Sequence, residues 1–355
     1  MTLIIDGSFG EGGGQILRTS VALSCITGKE VKVVNIRAKR PEPGLKRQHM
    51  TAIQAAATIC NAEVSGLRLG STTITFRPGD IRYGNYKFDI GTAGSITLVL
   101  QTLLPIMAYS KGPITVEIKG GTDVPWSPPI DYVRNVIRYH LNLLGYSFNL
   151  DLIRRGHYPR GGGLVRVSVD RPPRRFSGIK LIDRGSLREI KGRSHCVRLP
   201  KHVAERQARA AESLLRREGV KVPISIELEW YEQNKDPHLG PGSGIVLWAI
   251  YDKTVIGGDA LGAKGKRAEI VGEEAASKLL KAMKSGMALD KHMSDNIIPY
   301  IALAKGTSII TGEELSMHAY TNIWLVKQIL GIEARLEGEL DKPFKLEIKG
   351  AGIEF

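Results

Sequence analysis

The sequence predicts an α+β fold, an α/β sandwich whose main body is three repeated βαβαββ units, with a smaller α+β domain inserted between the second and third. Three observations carry this expectation. Leu103 to Gly112 (Leu-Leu-Pro-Ile-Met-Ala-Tyr-Ser-Lys-Gly) lines up with Ile297 to Gly306 (Ile-Ile-Pro-Tyr-Ile-Ala-Leu-Ala-Lys-Gly), and Val21 to Gly28 fills the same slot, an apolar helix end closed by a C-cap glycine. The interval from Gly112 to Gly306 is more than twice that from Gly28 to Gly112, which leaves room for an insertion. At 355 residues and 42% apolar, the chain can bury a sizeable core.

Each unit reads strand, helix, strand, helix, strand, strand. In the first, Leu3-Ile4-Ile5 precedes a helix over Gln15–Ile26, a second helix covers Leu45–Cys60, and strands lie near 63–67 and 72–77. The second has helices over 95–110 and 129–144, with strands near 114–119, 147–152 and 164–169. The third has helices over 294–304 and 317–330, and strands over 334–340 and 344–349, where Glu333 to Leu340 alternates with a period of two. The expected body is 1–178 with 267–355. The expected insert is 179–266, with strands near 188–197, 224–231 and 245–251 around an amphipathic helix over 201–217. Segments 170–177 and 257–266 carry the Pro, Gly and basic residues of linkers.

A formal charge of +14 and a pI near 9.6 favour an anionic partner. Cys25, Cys60 and Cys196 have no metal-ligand spacing, and their odd number argues for a reducing, cytoplasmic setting. No run reaches 18 apolar residues, so no membrane partner is expected.

Ser8 to Thr19 (Ser-Phe-Gly-Glu-Gly-Gly-Gly-Gln-Ile-Leu-Arg-Thr) is the most informative stretch. Glycines let backbone approach a ligand, and the following helix start offers unpaired N–H groups and a positive dipole end. Glu11 is out of place beside an anion unless a metal or proton intervenes, and the alternative is a tight strand-to-helix turn. Gln15 and Arg18 sit in the first turns of an otherwise apolar helix. An arginine there needs an anion, either a carboxylate of the next unit or a phosphate.

Arg37 to His49 holds five Lys/Arg against one acid, Glu42. Lys46 and Arg47 stand at a helix start, where the macrodipole disfavours cations, which points to an anion-binding surface with Arg37 and Arg40 suited to bidentate phosphate contact. In Gly120 to Pro129, Asp123 and Trp126 either cap and pack or contact a nucleotide. Arg155 to Val165 (Arg-Gly-His-Tyr-Pro-Arg-Gly-Gly-Gly-Leu-Val) opens a strand, and a hairpin loop accounts for its glycines but not for Arg155, His157, Tyr158 and Arg160. Ser316 is an N-cap candidate for the last helix, and His318 in its first turn is favoured as a neutral, nucleophilic imidazole, although such a histidine is usually structural.

Together these segments resemble the RNA 3′-terminal phosphate cyclases over nearly the whole chain. Gly10-Glu-Gly-Gly-Gly-Gln-Ile-Leu-Arg18, Ile36-Arg-Ala…Pro-Gly-Leu…Arg-Gln-His49, Gly120-Gly-Thr-Asp123 and Arg155-Gly-His-Tyr-Pro-Arg-Gly-Gly-Gly163 follow that family's pattern in order. The resemblance implies ATP-dependent conversion of an RNA 3′-phosphate to a 2′,3′-cyclic phosphate. It places His318, in a Ser-x-His-x-x-Thr-Asn setting, as the nucleophile that takes AMP. It implies nucleotide contacts at Glu11, Gln101, Pro128 and Asp295, a divalent metal (Mg or Mn) at Glu11, and RNA-phosphate contacts at Gln15, Arg18, Arg37, Arg40, Gln48 and His49. His292 lies on the nucleotide side without an assigned role. The expected partners are ATP and RNA with a 3′-terminal phosphate, and an oligomer stays open.

Three other readings compete. A catalytically silent relative acting in ribosome assembly would lack the nucleophile. An enolpyruvyl transferase built on the same repeat would not need His318 or the basic run. A simple RNA-binding protein would explain the charge but not Glu11 or His318.

Overall fold

The computed structural model describes residues 2–173 and 175–354; Arg174 of the 170–177 segment lies outside the described residues, as do Met1 and Phe355. The chain has an α+β fold built on four mixed four-stranded sheets. The first sheet holds β1 (Leu3–Asp6), β2 (Val31–Val34), β3 (Glu63–Ser65) and β4 (Ile74–Arg77), with helices α1 (Gln15–Thr27) and α2 (Arg47–Cys60). Helix α1 ends as its glycine requires: Gly28 has φ +70° and its N–H reaches the Ser24 carbonyl at 2.9 Å.

The second sheet holds β5 (Gly84–Asp89), β6 (Ile114–Gly120), β7 (Asn149–Arg154) and β8 (Gly163–Val169). Helix α3 (Ile96–Ala108) joins β5 to β6, and α4 (Ile130–Tyr132) and α5 (Arg138–Leu143) flank a π-helical turn over Val133–Ile137. A short β9 (Lys180–Leu181) follows. The chain then forms a separate sheet from β10 (Leu187–Val197), β11 (Ile224–Glu229), β12 (Gly242–Tyr251) and β13 (Val255–Leu261). Its order is β11-β10-β12-β13, and helices α6 (His202–Arg217) and α7 (Ala268–Ser285) pack on it around a second apolar core.

The last sheet pairs β9 with β14 (Thr307–Gly312), β15 (Ala334–Glu337) and β16 (Phe344–Lys349), beside α8 (Lys291–Asn296), α9 (Ile298–Leu303) and α10 (Met317–Leu330). This sheet and the first two share one strand order, first-second-fourth-third, with the first two strands parallel and the others antiparallel. Helix α1 packs against α2, α3 and α10, so it contacts helices of all three sheets at once. Its first turn meets the first turn of α10, where Gln15 bonds His318 across 303 residues of sequence.

Two segments differ from the sequence expectation. The stretch 257–266 contains most of β13 rather than being a linker throughout. Gly257 and Gly258 read as loop residues, but they are required in a strand: a Cβ at Gly257 would lie 2.5 Å from the Tyr132 ring, and one at Gly258 would lie 2.6 Å from the Ala275 carbonyl oxygen. Helix α7 was not expected, and its apolar face (Val271, Ala275, Leu279) completes the second core. Tyr132 also ties the two cores together, since its hydroxyl donates to Asp290 at 2.6 Å while Asp290 accepts the Gly257 N–H at 2.8 Å. Among the described residues no helix is long and apolar enough to cross a membrane.

Candidate active site

The glycine loop between β1 and α1 is pinned to α10. Phe9 stacks on Trp324 with ring centroids 4.0 Å apart, and a Cβ on Gly10 (φ +57°) would meet Thr321 Oγ1 at 2.2 Å. Helix α1 begins at Gly14 with no side-chain cap, so its first N–H groups stay available, whereas Ser316 caps α10 by accepting the Ala319 N–H at 3.0 Å. Two helix N-termini therefore converge on one point, and both favour negative charge there.

His318 stands at that point with its side chain 43% exposed. Its Nδ1 faces Gln15 Oε1 and lies 2.8 Å from Glu11 Oε2. Gln15 Nε2 donates to the His318 carbonyl at 3.1 Å, which fixes the amide so that Oε1 is the atom turned to the ring. Two acceptors at Nδ1 place the proton there and leave the Nε2 lone pair outward. This is the orientation a nucleophilic imidazole requires.

Glu11 also pairs with Arg40. Burial acts to raise the Glu11 carboxyl, but His318 and Arg40 outweigh it and hold the group below its ordinary range. Glu11 Oε2 is buried and has no well-aligned hydrogen bond, only the close approach of Nδ1, so a lone pair remains for a hard cation.

Behind the histidine runs a chain of polar contacts. Arg18 Nε donates to Gln101 Oε1 at 3.2 Å, Gln101 Nε2 to Asn296 Oδ1 at 2.8 Å, and Asn296 Nδ2 to Asp295 Oδ1 at 2.8 Å. Asn322 Nδ2 donates to the Asp295 carbonyl at 2.9 Å, and Asn322 Oδ1 accepts from Thr19 Oγ1 at 3.2 Å. Burial lowers the Arg18 guanidinium to about 10 against the pull of Glu11 and Asp295. Burial likewise raises the Asp295 carboxyl to about 6, although His318 and His292 draw it down. The side-chain path thus links α1, α3, α8 and α10, and Asn296, Asn322 and Thr19 are members that the sequence reading did not assign. Asn322 belongs to the Ser-x-His-x-x-Thr-Asn run, which was its only visible signal.

The remaining expected residues lie around this path. His49 is 4% exposed; its Nδ1 accepts the Lys46 N–H at 3.2 Å and its Nε2 edge lies against Gly14. Gln48 Oε1 accepts the Ser95 N–H at 3.1 Å, and the Pro128 carbonyl accepts from Thr97 Oγ1 at 2.7 Å, both at the N-terminus of α3. Arg37 has φ +57° and turns its NH1 back to the Glu42 and Gly44 carbonyls, 2.8 Å from each, so that part of the guanidinium staples its own loop. Lys46 pairs with Glu42, which compensates the cations at the start of α2. Trp126, by contrast, neither caps nor packs and is 97% exposed.

Burial, together with Arg18, Arg37 and Lys46, lowers the His49 imidazole to about 3. An unfolded histidine protonates near 6.5, so the unfolded chain binds the extra proton as pH falls from 6.5 toward 3. This group therefore favours the fold above pH 6.5 and loses that contribution on acidification, by up to about 1.4 kcal/mol per pH unit. Urea unfolding at pH 7 and pH 4.5 should show a smaller loss for His49→Gln than for the unmodified chain. An equal loss would mean that His49 is protonated in the fold.

Signature-like residues 155–163 build a second cluster. Arg155 is 1% exposed and bonds Asp123 Oδ2 (3.1 Å), Asp131 Oδ2 (2.5 Å) and both oxygens of Glu229 on β11 (2.8 and 2.7 Å). It links the segment after β6 and the start of α4 to the β10–β13 sheet.

An α+β fold with a solvent-accessible histidine, an adjacent carboxylate and flanking arginines has the make-up of a site for nucleophilic group transfer involving an anionic substrate. The profile of the family described as RNA 3′-terminal phosphate cyclase matches residues 9–336. Curated relatives named RNA 3′-terminal phosphate cyclase are 58% identical in Hyperthermus butylicus, over 98% of both chains, and 55% identical in Ignicoccus hospitalis, again over 98% of both. A third, from Methanopyrus kandleri, is 51% identical over 99% of this chain and 100% of its own. The chain belongs to the RNA 3′-terminal phosphate cyclase family.

Proposed function

We propose that the chain is an ATP-dependent enzyme that converts an RNA 3′-terminal phosphate to a 2′,3′-cyclic phosphate, releasing AMP and pyrophosphate, and that it works in the cytoplasm. The observation that carries this reading is the orientation of His318, with Nδ1 engaged by Gln15 and Glu11 and Nε2 turned outward at two converging helix N-termini. In this reading Nε2 attacks the α-phosphorus of ATP, and the P–O bond to pyrophosphate breaks. An oxygen of the RNA 3′-phosphate then takes the adenylyl group from the histidine. Finally the neighbouring 2′-OH attacks the activated phosphorus and displaces AMP.

The roles of the other residues follow from their placement. Gln15 and Glu11 keep the Nδ1 proton in place and stabilise the imidazolium that forms. Gln101, Pro128 and Asp295 would line the nucleotide side. Arg18, Arg37, Arg40, Gln48 and His49 would receive the RNA phosphate. A divalent cation, Mg²⁺ or Mn²⁺, would be held at Glu11, whose buried Oε2 fits a hard ion, and would withdraw charge from the triphosphate.

A short RNA ending in a 3′-phosphate, incubated with the chain, ATP and Mg²⁺, should gain resistance to phosphatase as AMP appears in equal amount. The same RNA with a 3′-OH should release no AMP. AMP release without phosphatase resistance would rule out cyclisation.

A further inference from the structure

Away from His318, the junction of the 155–163 loop with the inserted sheet encloses side chains that no step above uses. Asp123 (2% exposed) follows β6, His157 (7%) follows β7, and His195 (0%) lies on β10. One candidate ligand atom from each lies within 4.8 Å of the other two. His157 Nε2 and His195 Nε2 are 3.0 Å apart, a hydrogen-bond distance; two nitrogens held by one tetrahedral ion stand about 3.3 Å apart, so a shift of a few tenths of an ångström would seat the ion between them.

The atoms around them are not otherwise satisfied. Asp123 Oδ2 is taken by Arg155 at 3.1 Å and Thr122 at 2.6 Å, but Asp123 Oδ1 is buried and has no partner among the described residues. Asp131 Oδ1 likewise accepts no hydrogen bond, and only the more distant Arg193 (3.7 Å) and Arg134 (3.8 Å) approach it. Three carboxylates, of Asp123, Asp131 and Glu229, surround the fully buried guanidinium of Arg155, and the partly exposed Arg193 and Arg134 balance the charge from the Asp131 side, so Asp123 Oδ1 is unpartnered without any excess of acid around it. A simple N–H···N bond between the imidazoles would satisfy one ring proton and do nothing for Asp123 Oδ1.

The site is also rigid. Asp123 and His157 are joined by a backbone bridge, and a Cβ at Gly242 would fall 2.0 Å from the His157 ring, so the ring is confined on that side. Two imidazoles and a carboxylate are the donors of zinc-class ions rather than of Mg²⁺ or Ca²⁺.

We propose that Asp123, His157 and His195 form a buried structural site for one divalent transition-metal ion of the zinc class, which ties the inserted sheet to the body. The site shares no residue with the His318 chemistry and does not depend on that reading.

The full chain, stripped with a chelator, should bind one Co²⁺ per chain with a visible d–d absorption band. Its X-ray absorption should show imidazole ligation, and its thermal midpoint should rise by several degrees. His157→Phe, which keeps the ring volume, and Asp123→Asn should lose both the band and the rise. Glu11→Gln and His318→Ala should keep both, which separates this site from the proposed catalytic metal. Absence of the band or of imidazole ligation in the unmodified chain would overturn the proposal even if neither variant folds. A band retained by His157→Phe, or lost in Glu11→Gln, would overturn it as well.

Discussion

Replacing His318 by alanine is expected to abolish the covalent AMP adduct formed from labelled ATP, and to reduce cyclisation by a factor on the order of 10⁴ or more. The size follows from chemistry, because no neighbouring group in this geometry can replace an outward imidazole lone pair. Glu11 is ionised but occupied by His318 and Arg40, and Gln15 has no nucleophilic atom. The adduct should be acid-labile, as a phosphoramidate is. His318→Asn sharpens the test, since its amide can donate from near the Nδ1 position while supplying no nucleophile. Both variants should fold like the parent, because the side chain is 43% exposed and the Ser316 cap of α10 does not use it. An adduct that survives in either variant would show that another residue carries the AMP.

Removing the Arg155 guanidinium should have the largest effect on stability. Arg155→Met would leave the buried carboxylates of Asp123 and Asp131 and the largely buried one of Glu229 facing each other, with only Arg193 and Arg134 near Asp131, at 3.7 and 3.8 Å. Breaking such a group from one side costs about 3–5 kcal/mol. Burial opposes the charge on Arg155, yet Asp131, Asp123 and Glu229 outweigh it and raise its affinity for the proton well above the ordinary value. Burial also opposes the charge on Glu229, but Arg155 overcomes it and holds Glu229 far below the carboxylate range. The loss should appear as a fall in the urea midpoint at pH 7, and neutralising Asp131 in the double variant Arg155→Met/Asp131→Asn should return part of it. A single variant as stable as the parent would show that the cluster contributes no net stability.

These two residues also show what was legible in advance. His318 was readable as a candidate because helix capping and position are local properties, and Ser316 and Met317–Leu330 fall where the sequence places them. Its orientation was not readable, since Gln15 and Glu11 reach it from the opposite end of the chain. Arg155 stood out as unexplained by a hairpin loop, but its partners lie 24, 32 and 74 residues away, and no local pattern names them. Gly257 and Gly258 were misread for the same reason. Their role depends on Tyr132 and Ala275, which pack against them only in the fold.

The glycine loop, the basic run, most helices and strands, and the α+β class were determined by the sequence itself, because periodicity, caps and turn residues act over a few positions. The tertiary structure alone decided which side chains meet. It turned Arg37 in part to its own loop, gave Lys46 to Glu42, threaded Arg18, Gln101, Asn296 and Asp295 into one path, and brought Asp123, His157 and His195 together. Such pairings depend on how sheets and helices separated by hundreds of residues pack, and a buried charge takes whatever partner that packing supplies.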